Sequence, residues 1–429
     1  MRIALALLLL TLGVSSGQEA AAIPDRLMWG RISMDGAVER WRELEVDPAR
    51  AAELTRAWRG ARDGEPGRSQ IKLSDAARRH TQLVIDVPRE PAADGRYGVL
   101  ISLHGLGRDW RAILGPARGI AGEHMIVVAP NARRPPADAP FEDLEQLPLG
   151  VAEEIRQRFP HWWTYREGSF PLLALDVLKA RYPIDPDRVL IFGYSMGSFG
   201  AANIALRYPD RFAGAILMAG GLSRQEYVTG RDARTRSLLG NATLLPMFLA
   251  HQSGDDVVPV QFARWTLEDL RALGLQTRYL EHETRGHGLA LEPKELRELK
   301  QWVSERRREP HPKRIEHTSL GTYHGWAYWL RASKLAGDAG SFTAEVGDAN
   351  RVTITSKGVA ELVLYLDPEL IDPTQPLKLT VNGEAVAAGV AEPTLRAVVE
   401  SWVLRRDTTL VFDRALRIDV EAKTAAPLR

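Results

Sequence analysis

Two patterns of apolar and polar positions follow one another along the chain. Between residues 80 and 309, short apolar runs alternate with segments of helical period. This alternation predicts an α/β fold, in which a mostly parallel sheet carries helices on both faces and binds ligands at the carboxyl ends of its strands. The predicted strands cover residues 80–87, 97–103, 124–129, 188–192, 212–219, 244–250 and 277–281, and the predicted helices cover 170–181, 198–208, 259–273 and 293–308.

From about residue 310 the pattern changes to short runs in which apolar and polar residues alternate. This period of two is typical of strands with one buried face. The pair Asn382-Gly383 is a strong signal for a tight hairpin. We therefore expect a separate, mainly β, sandwich-like domain over residues 310–429, with strands at 352–355, 362–366, 377–381, 409–412 and 416–420.

The first 17 residues have the pattern of a secretory signal peptide. Met1-Arg2 precedes an apolar run over residues 3–12, and small residues follow at positions 15–17. The run is too short to span a membrane, so it predicts export, to the periplasm or outside the cell. A buried N-terminal helix is the alternative interpretation.

Residues 18–79 are rich in charge, and from residue 24 onward they follow a helical period. Trp29, Trp41 and Trp58 are spaced through this stretch. We interpret it as an N-terminal helical extension that packs on the core through its tryptophans and carries no chemistry of its own.

Composition limits the classes of function. The formal net charge is +1, which gives no support for nucleic acid as a partner, and the absence of cysteine excludes disulfides and a thiol nucleophile. No dinucleotide fingerprint or P-loop is present, so we expect no cofactor. No later segment reaches 18 uninterrupted apolar residues, so we expect no membrane span.

The first candidate for a catalytic residue lies in the sequence Gly-Tyr-Ser-Met-Gly, residues 193–197. An apolar strand leads directly into it and a predicted helix follows. A tight turn of this kind needs small residues on both sides of Ser195 and exposes the serine hydroxyl at the carboxyl edge of the sheet. Ser195 is therefore the predicted nucleophile.

A serine hydroxyl needs a base within hydrogen-bond reach, and the base needs an acid that holds its tautomer. Two later strand ends supply candidates. We assign Asp255 as the acid and His287, which lies between two glycines, as the base. Asp256 is the competing acid, and the weaker candidates for the base are His251 and His282.

An oxyanion formed at the attacked carbonyl needs backbone N–H donors. The expected donors are the N–H groups of Met196, which follows the nucleophile, and of Leu106 in the sequence His-Gly-Leu-Gly. His104 is interpreted as structural. A zinc site is not expected, because His282-Glu283 and His287 are spaced one residue too far apart for His-Glu-x-x-His.

Residues 131–168 form a long irregular segment rich in proline and aromatic side chains. A loop of this length inside a compact domain is usually functional, so we predict a lid or a pocket wall, with an ordinary surface excursion as the alternative. The candidates for the acyl or alcohol pocket are Trp162, Trp163, Tyr165 and Arg133.

Several of these sequences together resemble the α/β-hydrolase superfamily: residues 193–197, His-Gly-Leu-Gly at 104–107, Ile-Asp-Pro-Asp-Arg at 184–188, and Asp255 shortly before Val258-Pro259. Within it they resemble the phospholipase/carboxylesterase, polyhydroxybutyrate-depolymerase-like and prolyl-oligopeptidase-like esterase group. The resemblance covers about residues 80–308. Residues 251–254 read His-Gln-Ser-Gly where relatives commonly have His-Gly, which leaves the choice between Asp255 and Asp256 open.

Three functional hypotheses follow. The first is a secreted serine hydrolase that cleaves a small-molecule or polymer-linked carboxylic ester through a covalent acyl-enzyme. The second is a peptidase or amidase that uses the same residues. The third is a non-catalytic envelope protein in which the C-terminal domain contacts a carbohydrate or another surface and the hydrolase fold is only a scaffold.

Overall fold

An eight-stranded mixed sheet forms the centre of the N-terminal part of the protein. The computed structural model describes residues 15–74, 80–132, 162, 170–222, 235–275, 277–288 and 291–428. The strands of the sheet are β1 Gly67–Ser74, β2 His80–Val87, β3 Tyr97–Leu103, β4 Met125–Pro130, β5 Ile184–Tyr194, β6 Gly214–Met218, β7 Met247–Gly254 and β8 Thr277–Arg285. Their spatial order is β1-β2-β4-β3-β5-β6-β7-β8.

Only β2 runs against the other strands of the sheet. β1 pairs antiparallel with β2, and β2 pairs antiparallel with β4. Every pairing from β4 through β8 is parallel. The carboxyl ends of β3, β5, β6, β7 and β8 therefore meet at one edge of the sheet.

Helices cover both faces of this sheet. Neighbouring strand residues point to opposite faces, so Leu100 and Ile101 of β3 belong to two different apolar clusters. The helices of the described chain are α1 Ser16–Met28, α2 Met34–Glu43, α3 Pro48–Arg56, α4 Trp110–Ile120, α5 Phe170–Arg181, α6 Met196–Arg207, α7 Gln261–Ala272, α8 Pro293–Glu305 and α9 Leu395–Arg405. None of these helices is both long and apolar enough to cross a bilayer.

The C-terminal part contains two five-stranded sheets that share one apolar core. Phe342 and Ile354 of one sheet lie in the same cluster as Leu364 and Leu416 of the other. The strands are β9 Arg314–Ser319, β10 Trp326–Ala327, β11 Leu330–Leu335, β12 Gly340–Gly347, β13 Arg351–Lys357, β14 Val359–Leu366, β15 Lys378–Val381, β16 Glu384–Ala387, β17 Arg414–Asp419 and β18 Thr424–Pro427. The sheet orders are β10-β11-β14-β17-β18 and β16-β15-β13-β12-β9.

The fold class predicted from the sequence is confirmed. The strand order and the two helical layers are those of an α/β-hydrolase sheet, and the C-terminal part is mainly β. The predicted hairpin is present as well: β15 and β16 pair antiparallel around Asn382 and Gly383, whose φ angles are 50° and 84°. Two consecutive positive φ angles are what a two-residue hairpin turn of this type requires.

Three elements differ from the sequence prediction. Residues 67–74, expected within a helical extension, form the edge strand β1. Residues 409–412, expected as a strand, form a turn and loop before β17. The helix α9 was not predicted. Apolar residues are buried on nearly all its sides, so the segment lacks the polar stripe that marks a surface helix.

The N-terminal helices pack mainly against the C-terminal domain, which corrects the prediction that they pack on the catalytic core. Trp58 meets Trp402 of α9 edge to face, with ring centroids 5.0 Å apart, and the Trp402 indole donates to the Pro24 carbonyl at 3.3 Å. Trp41 is buried inside this cluster, whereas Trp29 is 42% exposed. Residues 1–14, which hold most of the predicted signal peptide, lie outside the described residues.

A buried ion cluster joins the two domains. Arg308, whose side chain has no exposed surface, contacts the carboxylates of Asp187 at 2.6 Å and Asp407 at 3.0 Å. Asp407 follows α9, whereas Asp187 belongs to β5, the strand that ends at the serine turn. The same Arg308 donates to the hydroxyl of Thr409 at 2.6 Å.

Candidate active site

Ser195 occupies a strained turn between β5 and α6. Its backbone has φ 54° and ψ −122°, values that non-glycine residues seldom adopt. The turn is fixed by hydrogen bonds, because the Ser195 N–H donates to the Met218 carbonyl at 2.9 Å and the Ser195 carbonyl accepts from the Ser198 N–H at 2.8 Å. Neighbouring strand and helix thereby hold the serine at the carboxyl edge of the sheet.

The glycines on either side of Ser195 are required by close backbone contacts. A Cβ atom on Gly193 would lie 1.9 Å from the Gly197 carbonyl oxygen, and one on Gly197 would lie 2.0 Å from the Leu103 carbonyl oxygen. Neither distance leaves room for a methyl group. The sequence pattern around the serine is therefore a packing requirement of the turn.

The structure brings Ser195, His287 and Asp255 into one hydrogen-bonded chain. The His287 Nε2 lies 2.8 Å from the Ser195 Oγ, and the His287 Nδ1 lies 2.7 Å from the Asp255 Oδ2. Because ionised Asp255 can only accept, Nδ1 carries the proton and Nε2 is free to accept one from the serine. The Asp255 side chain has no exposed surface and that of His287 is 15% exposed.

The position of Asp255 is fixed by backbone donors. Its Oδ1 accepts from the N–H groups of Val257 and Val258, both at 2.9 Å, which leaves Oδ2 facing His287. Asp256 points to solvent and has no contact with the imidazole among the described residues. The geometry therefore selects Asp255 from the two carboxylates that the sequence left open.

A second imidazole lies beneath Asp255. The His251 Nε2 is 3.3 Å from the Asp255 Oδ2 and 2.8 Å from the Val258 carbonyl, to which it donates. Burial lowers the pKa of His251, so it is neutral at pH 7. His282, the other weaker candidate for the base, pairs with Glu295 of α8.

Two residues that the sequence analysis did not select hold the loop that carries His287. The Tyr194 hydroxyl donates to the His287 carbonyl at 2.8 Å, and the Gln252 Oε1 accepts from the Gly288 N–H at 2.7 Å. One signal was available: Gln252 lies in the sequence His-Gln-Ser-Gly, where relatives commonly have His-Gly. Tyr194 occupies a variable position of the serine turn and gave no signal.

The predicted oxyanion donors belong to two segments that adjoin Ser195. Met196 begins α6, so its N–H is one of those that have no acceptor within the helix. Leu106 lies in the turn after β3, next to Gly105, where a Cβ atom would be 3.3 Å from the Ser195 Cβ. The loop after β3 thus packs directly against the serine side chain.

His104 and Trp162 form the support of that loop. His104 is buried, accepts the Ala132 N–H on Nε2 at 3.0 Å, and donates from Nδ1 to the Gly105 carbonyl at 2.8 Å. Burial lowers the pKa of His104, in keeping with this neutral form. Trp162 donates to the His104 carbonyl at 2.9 Å and is 4% exposed, so it packs against the loop after β3.

The remaining pocket candidates, Trp163, Tyr165 and Arg133, lie outside the described residues, as does most of the predicted lid segment at 131–168. Within the part of the chain that the structure describes, no group of three or more His, Cys, Asp or Glu side chains is arranged to hold a metal ion.

Comparison with known proteins agrees with this architecture. The sequence profile of the Esterase family matches residues 74–335, well over half of the chain. The mouse protein Lysophospholipase-like protein 1 is 30% identical over 225 residues, which are 49% of this chain and 87% of that protein. The rat S-formylglutathione hydrolase is 32% identical over 96 residues, which are 21% of this chain and only 34% of that enzyme.

A solved structure of S-formylglutathione hydrolase from Staphylococcus aureus aligns with 56% of this chain and 97% of its own, with a TM-score of 0.41 and 16% identity. The match to the family profile spans β2 through β8 and includes Ser195, Asp255 and His287. The chain belongs to the Esterase family of α/β-hydrolases.

Proposed function

We propose that this protein is an exported carboxylic-ester hydrolase that works through Ser195, His287 and Asp255 and a covalent acyl-enzyme. One observation carries the proposal: the continuous hydrogen-bonded chain from the Ser195 Oγ through both ring nitrogens of His287 to Asp255. Nucleophile, base and acid in this order are the arrangement that activates a serine.

In the first half of the reaction, the Ser195 Oγ attacks the ester carbonyl while the His287 Nε2 takes the hydroxyl proton. Asp255 stabilises the resulting imidazolium through Nδ1 and stays ionised. The N–H groups of Met196 and Leu106 stabilise the oxyanion. His287 then gives its proton to the departing alcohol, and the acyl group remains on Ser195.

In the second half, a water molecule attacks the acyl-serine while His287 Nε2 takes one of its protons. Collapse of the tetrahedral intermediate releases the carboxylic acid and returns the proton to Ser195. His287 therefore acts alternately as base and acid, which requires that its ring stay aligned with Ser195 throughout.

Hydrolysis of short p-nitrophenyl esters tests the proposal. We expect the wild-type protein to be active and Ser195→Ala to lose more than about a thousandfold in kcat. The control is Ser304→Ala, which changes an exposed serine of α8. Full activity of Ser195→Ala would contradict the proposal, and faster cleavage of the matching anilide than of the ester would favour an amidase.

Export is a separate part of the proposal, supported by the pattern of residues 1–17. We expect the protein in the periplasmic or extracellular fraction, with a mature N-terminus close to Gln18. N-terminal sequencing of the purified native protein checks this. An intact Met1 on cytoplasmic protein would contradict it.

A further inference from the structure

A single peptide group in the His287 loop is held at both ends by side chains. The carbonyl of His287 and the N–H of Gly288 belong to the same peptide bond. Tyr194 donates its hydroxyl to that carbonyl at 2.8 Å, and Gln252 accepts from that N–H at 2.7 Å. The two contacts come from different strands and fix the plane of one peptide.

The backbone around His287 is conformationally permissive. His287 lies between Gly286 and Gly288, and Gly286 has a φ of 99°, in a region where glycine is favoured. The Gly286 N–H donates to the Gly254 carbonyl at 3.1 Å, which anchors the loop before His287. The plane of the peptide after His287 sets the ψ angle of that residue, so holding the plane restricts the backbone rotations that could move the imidazole relative to Ser195.

Both side chains are well placed to resist this rotation. Tyr194 is the last residue of β5 and immediately precedes Ser195, so the nucleophile and the support of its base share one short segment. The Tyr194 ring also lies against the imidazole, with centroids 5.1 Å apart and planes inclined by 34°. Burial raises the pKa of the Tyr194 hydroxyl, so it remains a donor at neutral pH.

The orientation of Gln252 is fixed in the same way. Its side chain is buried, and its amide nitrogen donates to the Thr284 hydroxyl at 2.8 Å while its oxygen accepts from Gly288. The backbone N–H can only donate, so the amide oxygen must face it. Gln252 lies in β7, three residues before Asp255, and thus links the strand of the acid to the loop of the base.

We propose that Tyr194 and Gln252 form a peptide clamp that orients His287 for proton transfer. They are positioning residues, since they act through His287 and touch no reacting atom. The inference rests on the proposed function and adds to it two residues outside the Ser195, His287 and Asp255 chain.

Tyr194→Phe is the sharpest test, because it removes the hydroxyl and keeps the ring against His287. With p-nitrophenyl acetate we expect kcat to fall about tenfold, KM to change less than about twofold, and labelling by a fluorophosphonate to slow in proportion to kcat. A residue that only supported folding would lower the unfolding midpoint without this separation of kcat from KM.

Tyr279→Phe is the matched control. It removes a tyrosine hydroxyl that donates to Glu281 on β8 at 2.5 Å, away from the catalytic loop. We expect wild-type kcat and KM from this variant. Equal losses in the two tyrosine variants would overturn the clamp.

Gln252→Met tests the second contact independently, and the double variant with Tyr194→Phe tests whether the two contacts act together. Both side chains hold one peptide. The second substitution should therefore lower kcat much less in the first variant than it does in the wild-type protein, and the fold losses of the two single variants should not multiply. A wild-type kcat in Tyr194→Phe, or fold losses in kcat that multiply in the double variant, would overturn the clamp and leave the proposed function standing. If the wild-type protein neither hydrolyses esters nor reacts with the fluorophosphonate, the proposed function fails and the clamp fails with it.

Discussion

Buried neutral histidines are a feature of this chain beyond its active site. His317 donates from Nε2 to the His324 carbonyl at 2.7 Å, and the His324 Nε2 accepts from the Leu320 N–H and the Arg207 guanidinium, both at 3.1 Å. His324 must stay neutral to accept both bonds. Burial lowers the pKa of His324 well below its usual value and that of His317 to about 4.

These imidazoles make stability depend on pH. An unfolded histidine takes up a proton near pH 6.5, whereas folded His317 resists protonation until about pH 4, so the stabilisation is complete above pH 6.5 and decreases as the pH falls toward 4. At about pH 5 the loss from His317 should be on the order of 2 kcal/mol relative to neutral pH. Urea unfolding midpoints measured across this range check the prediction.

His317→Gln tests whether the titration of His317 causes this pH dependence. The glutamine amide can still donate to the His324 carbonyl but does not titrate in this range. We expect its unfolding free energy to fall less steeply with acid than that of the wild type. Equal pH dependence in the two proteins would show that His317 does not contribute.

At the residue scale, the sequence could indicate the reacting groups but not the contacts that arrange them. Ser195, Asp255 and His287 were named because each ends a predicted strand, and the structure places them in contact. The choice between Asp255 and Asp256 needed coordinates, since adjacent residues of a turn point in different directions. The partners of Tyr194 and Gln252 are 93 and 36 residues away along the chain. The sequence next to these residues contains no pattern that predicts such distant contacts.

At the level of elements, the serine turn is the feature that the local sequence determines most strongly. It was recognisable because its glycine requirement is local, and the distances of a hypothetical Cβ explain that requirement. Other elements depend on tertiary context: α9 is enclosed between the N-terminal helices and the C-terminal sheets, and it therefore lacks a polar face that a period could reveal.

Gly197→Ala tests the turn. A methyl group 2.0 Å from the Leu103 carbonyl oxygen must displace the turn from β3, so we expect loss of measurable esterase activity and a lower melting temperature. Gly119→Ala is the control, because Gly119 lies within α4 and the added methyl would meet no atom within 4 Å other than those of its chain neighbours and its own helix backbone. It should retain activity and gain about 0.5–1 kcal/mol of stability.

On the scale of the whole molecule, the two domains and the N-terminal helices are joined by buried contacts. Trp58 and Trp402 connect the N-terminal helices to α9, and Arg308 connects β5 to the residues that follow α9. The change in sequence pattern near residue 310 indicated a change of architecture. It could not reveal this coupling, because the residues involved are between 99 and 378 positions apart along the chain.

Arg308→Ala tests the coupling. It leaves the buried carboxylate of Asp407 and the partly buried carboxylate of Asp187 without their shared partner, so we expect a loss of about 3–5 kcal/mol in the free energy of unfolding. The control is Arg314, which pairs with Glu345 on the surface, where the two side chains are 65% and 57% exposed. Arg314→Ala should therefore cost about 1 kcal/mol or less. Similar urea midpoints for the two variants would contradict a structural role for the buried cluster.

The central claim is that the hydroxyl of Ser195 is the nucleophile activated by His287 and Asp255. Peptide mass spectrometry after reaction with a fluorophosphonate tests it most directly, because trypsin releases the serine turn as residues 189–207, a peptide that also contains Ser198. We predict one adduct, located at Ser195, in the wild-type protein, none in Ser195→Ala, and strongly slowed labelling in His287→Ala. An adduct at another residue, or labelling that persists in Ser195→Ala, would contradict the account.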